Sequence, residues 1–138
     1  MKTFNEVHRY LMNYAIRPSQ QRIAIMEYLM NNQTHPTVDE IYSALSPNIP
    51  TLSKTTVYNT MDLLTEKGAV QVLTIDEKNA RYDADISKHG HFYCRNCGSV
   101  YDVFKMKPEM YEIPNFKSFK VDAVEISYYG TCKSCLGN

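Results

Sequence analysis

The four cysteines of this chain fall into two Cys-x-x-Cys pairs, Cys94/Cys97 and Cys132/Cys135. Two intervening residues let both sulfurs of a pair turn toward one ion, so four thiolates at this spacing can close a tetrahedral shell around Zn²⁺. Such a shell is structural and leaves no open position for chemistry. The competing chemistries are a pair of disulfides or a redox-active dithiol. A dithiol of the thioredoxin kind needs a βαβ context that neither motif has, and disulfide scaffolds are usually shorter and denser in cysteine. The run MKTFNEVHRYLMNY has no apolar signal region, and no later stretch is long enough to cross a bilayer. A cytoplasmic location with reduced thiols and no membrane partner is therefore expected, and with it one structural zinc per chain.

A second set of ligand types crowds the first pair. Residues 90–94 and 99–103 flank Arg95-Asn96-Cys97-Gly98 and can pair as a hairpin tipped by the zinc knuckle. With Cys94 opposite Ser99, His91 falls opposite Asp102. Side chains alternate along a strand, so His89 and His91 share one face and Cys94 takes the other. His89, His91 and Asp102 then make a two-histidine, one-carboxylate set suited to Fe²⁺, Mn²⁺ or Zn²⁺ with positions left open. Asp83 could supply a further oxygen, and His35 a nitrogen from the other half of the chain. On spacing alone each is equally readable as an ordinary satisfied side chain, and His8, alone on a helix, is read that way.

The elements that must position these groups come next. The 138 residues suit one domain or two small ones, without repeats or low-complexity segments. Thr3 with Glu6 reads as a capping box, and Phe4, Val7, Leu11, Tyr14 and Ala15 share a helical stripe, which predicts a first helix over 3–15. Pro18 and Ser19 break the pattern before a second helix over 20–31, with Ile23, Met26, Leu29 and Met30 as its apolar side. Thr37 and Glu40 cap a short third helix with Val38, Ile41, Tyr42 and Leu45 buried, ended by Pro47 and Pro50. Ser53 caps a fourth helix through Lys67, with Val57, Met61 and Leu64 inward and Gly68 as a left-handed C-cap. Residues 69–75 and 80–83 have strand composition around the polar turn 76–79. Three helices followed by a hairpin is the order of a winged helix-turn-helix.

In that order the fourth helix can enter a major groove, with Tyr58, Asn59, Thr55 and Thr56 facing bases. Lys54 and Arg22 are placed to pair with phosphate, and Ser19 can add a contact from a helix N-terminus. Acidic and basic residues balance at a formal charge of zero, so any nucleic-acid binding must rest on a local surface. The alternative is the solvated face of an amphipathic helix, toward which Asp62 leans. Beyond Ile86 the composition shifts to Tyr, Val and Phe. An α+β chain follows, with a winged-helix domain over 1–80, a hinge at about 78–85 and a metal-binding domain over 86–138.

The fragments His35-Pro36-Thr37-Val38-Asp39-Glu40-Ile41-Tyr42 and Ser53-Lys54-Thr55-Thr56-Val57-Tyr58-Asn59 resemble the ferric uptake regulator family. So do Arg81-Tyr82-Asp83, His89-Gly90-His91, Cys94-Arg95-Asn96-Cys97-Gly98 and Tyr129-Gly130-Thr131-Cys132. The likeness spans nearly the whole chain and is greatest to the peroxide-responsive repressors, whose sensor residues match His35, Asp83, His89, His91 and Asp102. It implies a homodimeric, metal-dependent repressor of a palindromic operator, not an enzyme. The implied architecture is an N-terminal winged helix and a C-terminal α/β dimerisation domain holding Zn(Cys)₄. One regulatory Fe²⁺ or Mn²⁺ per chain is implied, with the fourth helix as recognition helix. Tyr58 matches a DNA-contacting tyrosine of the family and Arg22 a basic residue of its second helix. The resemblance also implies that site-bound Fe²⁺ reduces H₂O₂ and that the oxidant modifies His35 or His89, whereas Mn²⁺ supports repression without that chemistry. Asp102 stands where iron-uptake members usually carry Glu.

The chain departs from the family pattern in three ways. Its His-His-Asp-His segment is Lys88-His89-Gly90-His91 here, which removes ligands of a third metal site. Pro108 and Pro114 leave room for little more than one helical turn between Val103 and Phe119. Asn59 replaces an Arg frequent in iron-uptake members. A non-haem iron enzyme built on His89, His91 and Asp102, an iron-responsive regulator without peroxide sensing, and a zinc-stabilised interaction module without DNA affinity are the other readings.

Overall fold

The computed structural model describes residues 1–104, 107–111 and 118–137. Packing divides the chain into two compact units, Met1–Ile86 and Ser87–Asn138. Pro114 lies outside the described residues.

The first unit holds α1 (Phe4–Asn13), α2 (Gln20–Asn31), α3 (Val38–Leu45) and α4 (Lys54–Glu66), followed by β1 (Gln71–Leu73) and β2 (Arg81–Asp83). All four helices start the same way. Thr3, Ser19, Thr37 and Ser53 each accept the backbone N–H three residues on, from Glu6, Arg22, Glu40 and Thr56, a contact that stabilises a helix by about 1 kcal/mol. At α3 the reciprocal bond is also made, Glu40 accepting the Thr37 N–H. At α1 the Thr3 hydroxyl instead donates to the Glu6 carboxylate.

Helices α1 and α4 end in Schellman turns, but with different residues at the left-handed position. After α4 that residue is Gly68 at φ +82, with Ala69 N–H reaching the Leu64 carbonyl. After α1 it is Ala15 at φ +58, with Ile16 N–H reaching Leu11. Hence α1 stops at Asn13, two residues short of the expected span. The turn after α4 likewise shortens the first strand: Ala69 and Val70 still direct their N–H groups to Leu64, so ladder pairing begins only at Gln71.

The core of this unit is the convergence of Val7, Leu11, Ile25, Met26, Ile41, Val57, Met61 and Leu64, all of them fully buried, with Tyr82 of β2 closing one side. Phe4, expected on the inner stripe of α1, is exposed. The two strands pair antiparallel with Val72 opposite Tyr82. Helices α2 to α4 and this hairpin form the winged helix-turn-helix.

The second unit is a three-stranded sheet of order β4-β3-β5, from β3 (Gly90–Cys94), β4 (Val100–Val103) and β5 (Ser127–Gly130). Strand β3 runs antiparallel to β4 and parallel to β5. A single 3₁₀ turn spans Pro108–Tyr111, and the four-residue helix α5 (Lys133–Leu136) follows β5.

Candidate metal sites and nucleic-acid interface

The cysteine cluster is assembled by the sheet. The parallel register sets Cys94 beside Gly130, and Arg95 N–H on the Gly130 carbonyl (2.8 Å) carries the pairing past the strand end. Cys132 therefore arrives next to Cys94, and the turn into α5 brings Cys135. On the other side Gly98, at φ +77, lets the knuckle fold back so that its N–H meets the Cys94 carbonyl at 2.8 Å. All four sulfurs lie within 4.8 Å of one another. Cys94 Sγ is 3.8 Å from Cys135 Sγ, and Cys97 Sγ is 3.8 Å from Cys132 Sγ. A tetrahedron of ~2.3 Å Zn–S bonds has edges of about 3.8 Å, so the spacing matches a zinc shell.

The electrostatics agree. The N–H groups of Cys132 and Cys97 pull the Cys94 thiol down to about 6. Cys135 feels a lowering contact from Asn96, but the Cys132 sulfur, burial and the sulfurs of Cys94 and Cys97 outweigh it and push it up to about 12. Four thiols this close cannot all ionise by themselves, and a dication removes the conflict. The cluster fits zinc.

In the same unit the hairpin has the expected register, His91 opposite Asp102. Both imidazoles meet one carboxylate oxygen: Asp102 Oδ1 is 3.1 Å from His89 Nε2 and 3.3 Å from His91 Nε2. The rings are 0% and 2% exposed. His89 Nδ1 lies 2.7 Å from the Ser87 carbonyl, which can only accept, so Nδ1 carries the proton. Its Nε2 then faces a carboxylate oxygen lone pair to lone pair, and only a proton or a metal cation between them makes that contact favourable. Phe104 stacks on the His89 ring at 4.7 Å.

The other two candidate ligands meet in the first unit. His35, buried and at φ +55, precedes Pro36, whose carbonyl accepts the Tyr82 N–H at 3.1 Å. Strand β2 thereby lies along this linker and sets His35 Nε2 3.5 Å from Asp83 Oδ2. Both side chains are within a few per cent of full burial, 4% and 1% exposed. A nitrogen and a carboxylate held this way suit a hard or borderline divalent cation. His8 is exposed on α1 beside Phe4.

Of the residues proposed to meet DNA, Lys54, Thr55, Tyr58 and Asn59 are exposed on α4, and Thr56 is half-buried. An open cavity of ≈ 420 Å³ between the start of α2 and α4 is lined by Ser19, Arg22, Thr56 and Asn59, together with Arg17 and Gln21. Arg22 Nη1 donates to the Arg17 carbonyl at 2.8 Å. Arg17 was not among the expected contacts, because nothing in a lone arginine before Pro18 shows that the chain folds it back beside Arg22. Lys54 sits 3.2 Å from Asp39 and over the Tyr42 ring, so a phosphate would have to compete for it.

The ferric uptake regulator family model matches residues 13–129. The chain belongs to that family. Like the family's other members it is a metal-responsive, DNA-binding dimeric regulator, with an N-terminal winged helix and a C-terminal dimerisation domain. The chain is similar to the peroxide-responsive repressor PerR of Staphylococcus aureus strain Mu50, 37% identical over 91% of this chain and 86% of that protein. It is also similar to the solved PerR of Streptococcus pyogenes, a structure described as the basis for peroxide sensing and gene regulation. There the identity is 30%, the coverage 98% of this chain and 94% of that one, and the TM-score 0.54. The Helicobacter pylori ferric uptake regulator Fur shares the fold with a TM-score of 0.74 at 21% identity, over 98% and 95% of the two chains. Among the described residues no helix is long and apolar enough to cross a membrane.

Proposed function

We propose that this regulator is a homodimeric repressor that binds a palindromic operator when Fe²⁺ or Mn²⁺ is held by His35, Asp83, His89, His91 and Asp102, and that it senses peroxide. One such ion and one structural zinc, on Cys94, Cys97, Cys132 and Cys135, are proposed per chain. The supporting observation is the convergence of two buried imidazoles on the single Asp102 carboxylate oxygen, an arrangement that calls for a cation. The matched pair His35 and Asp83 in the other unit and the 37% identity to a peroxide-responsive repressor support it further.

The ligands are divided between the winged helix and the dimerisation domain. A cation that all five bind favours the arrangement that unites them, by as much as its affinity differs between arrangements. In that arrangement the two recognition helices of the dimer read a two-fold symmetric site, with Tyr58, Asn59, Thr55 and Thr56 toward bases and Lys54, Arg22 and Ser19 toward phosphate. Dimerisation is assigned to the second unit, which exposes Tyr101, Phe104, Val124, Tyr128 and Tyr129. Bound Fe²⁺ would supply the electrons that reduce H₂O₂. His35 and His89 are the imidazoles proposed to take up the oxygen, and a ring so modified binds a cation less well and releases the operator. A third metal site lacks its ligands at Lys88 and Gly90. The protein is expected to work in the cytoplasm, and not as an enzyme.

The test is operator retardation with Fe²⁺ or Mn²⁺, followed by H₂O₂ and mass spectrometry. Retardation with both metals is expected, with one oxygen added to the His35 or His89 peptide only in the iron-loaded protein. Retardation with no oxygen added would leave an iron-responsive regulator without peroxide sensing. Turnover of an organic substrate would favour the non-haem iron enzyme, and absence of retardation the interaction module.

A further inference from the structure

Arg81 opens β2, and its guanidinium meets three separate segments of the first unit. Nε lies 3.1 Å from Asp76 Oδ2 in the turn between β1 and β2. Nη1 donates to the His35 carbonyl at 3.1 Å and lies 3.6 Å from Glu40 Oε1, the carboxylate that closes the N-terminus of α3. The side chain is only 16% exposed. A guanidinium so far from water needs charge-assisted partners, and the two carboxylates provide them. The backbone carbonyl of His35 is the partner that calls for a functional explanation.

His35 is a non-glycine residue in the left-handed region, where its own β-carbon crowds the backbone, and the proline that follows restricts it further. Such a conformation persists only where the surroundings enforce it, and strain of this kind gathers at functional positions. Strand β2 supplies the enforcement. Arg81 grips the His35 carbonyl, Tyr82 N–H grips the next carbonyl, that of Pro36, and the third residue of the strand, Asp83, offers its carboxylate to the imidazole.

We propose that Arg81 is a positioning residue for the regulatory cation. It acts through the backbone of a ligand, holding His35 in the conformation in which Nε2 faces Asp83. Through Asp76 the same side chain ties that conformation to the wing turn. The inference rests on the assignment of His35 and Asp83 as ligands made above.

The test is a double-mutant cycle in the full-length, zinc-loaded protein, with Mn²⁺ affinity read by titration of free Mn²⁺ and stability by thermal melting. Arg81→Met should weaken Mn²⁺ binding by roughly tenfold or more, the cost typical of losing an outer partner of a metal ligand. In the His35→Ala background the same substitution should cost nothing further, because there is no imidazole left to position. Asp76→Asn breaks the wing ion pair but leaves the His35 contact. It should lower the melting midpoint while changing Mn²⁺ affinity by less than about threefold. Where Arg81→Met does not fold, Arg81→Lys keeps stem and charge without the fork and enters the same cycle.

An affinity within about twofold of wild type for Arg81→Met would overturn the proposal, since outer partners typically cost more than that. So would an equal loss in both backgrounds, or a loss that Asp76→Asn shares in proportion to its midpoint. If His35→Ala alone binds Mn²⁺ like the wild type, the ligand assignment falls and takes this inference with it. Failure of Arg81→Met alone leaves the assignment standing.

Discussion

Asp102 meets two imidazoles with one oxygen, so removing its charge alters both contacts at once. Asp102→Asn keeps the shape and removes the charge. It should raise the Kd for Mn²⁺ by at least about tenfold in an equilibrium titration while leaving zinc content unchanged. Cys132→Ser has the opposite profile. Cys132 is a member of the sulfur cluster and also donates its N–H to Cys94 Sγ. Its loss should strip the zinc, measured by elemental analysis, and lower the melting midpoint by at least about 10 °C. The four cysteines and the set His89, His91 and Asp102 were expected from spacing, since the hairpin register that places His91 against Asp102 follows from counting outward from the knuckle, whereas His35 and Asp83 stood out only through the family resemblance. The backbone groups that fix them were not. Ser87 enters through its carbonyl, and Arg81 through its reach to another segment's carbonyl, and neither contact leaves a trace in residue type or periodicity.

At the scale of elements, the four helices of the first unit were the readable part because each begins with a hydroxyl side chain three residues ahead of the N–H it caps. Their ends and the short strands were less so. A left-handed C-cap was expected at Gly68, where glycine announces it, and not at Ala15, where alanine hides it. Ala15→Gly should therefore stabilise the protein by roughly 0.5–1 kcal/mol in urea unfolding, relief of the left-handed strain exceeding the added freedom of the unfolded chain. Strand β5, only four residues long, is defined by its parallel pairing with β3, and such non-local pairing has no local signature. The wing turn adds a pH dependence. Burial raises the Asp76 carboxyl, but the Lys78 N–H and the Arg81 charge outweigh it and hold the group below its ordinary value of 3.8. A depressed carboxyl contributes stability that is fully present above its unfolded value and lost as pH falls through the folded one. Acidification below about pH 4 should thus cost the wild type more than Asp76→Asn, as read by the urea midpoint at each pH.

For the molecule as a whole, a formal charge of zero leaves DNA affinity to a few local cations. Arg17 and Arg22 line one cavity beside Asn59. Arg17→Ala should weaken retardation of all DNA fragments alike and reduce the slope of log affinity against log salt by about 1, whereas Asn59→Ala should narrow the gap between operator and unrelated DNA. The sulfur cluster has a consequence for how the chain is made. It joins residues 94 and 97 to 132 and 135, and the strand pair beside it matches His91 with Ser127 across a long intervening stretch. Closing so large a loop for one short parallel pair is slow, because the loop entropy is lost before the non-local contact compensates it. A zinc ion that stapled the loop shut would shift that search toward the native register, so the pace at which newly synthesised chains become able to respond to anything would follow how quickly zinc reaches them.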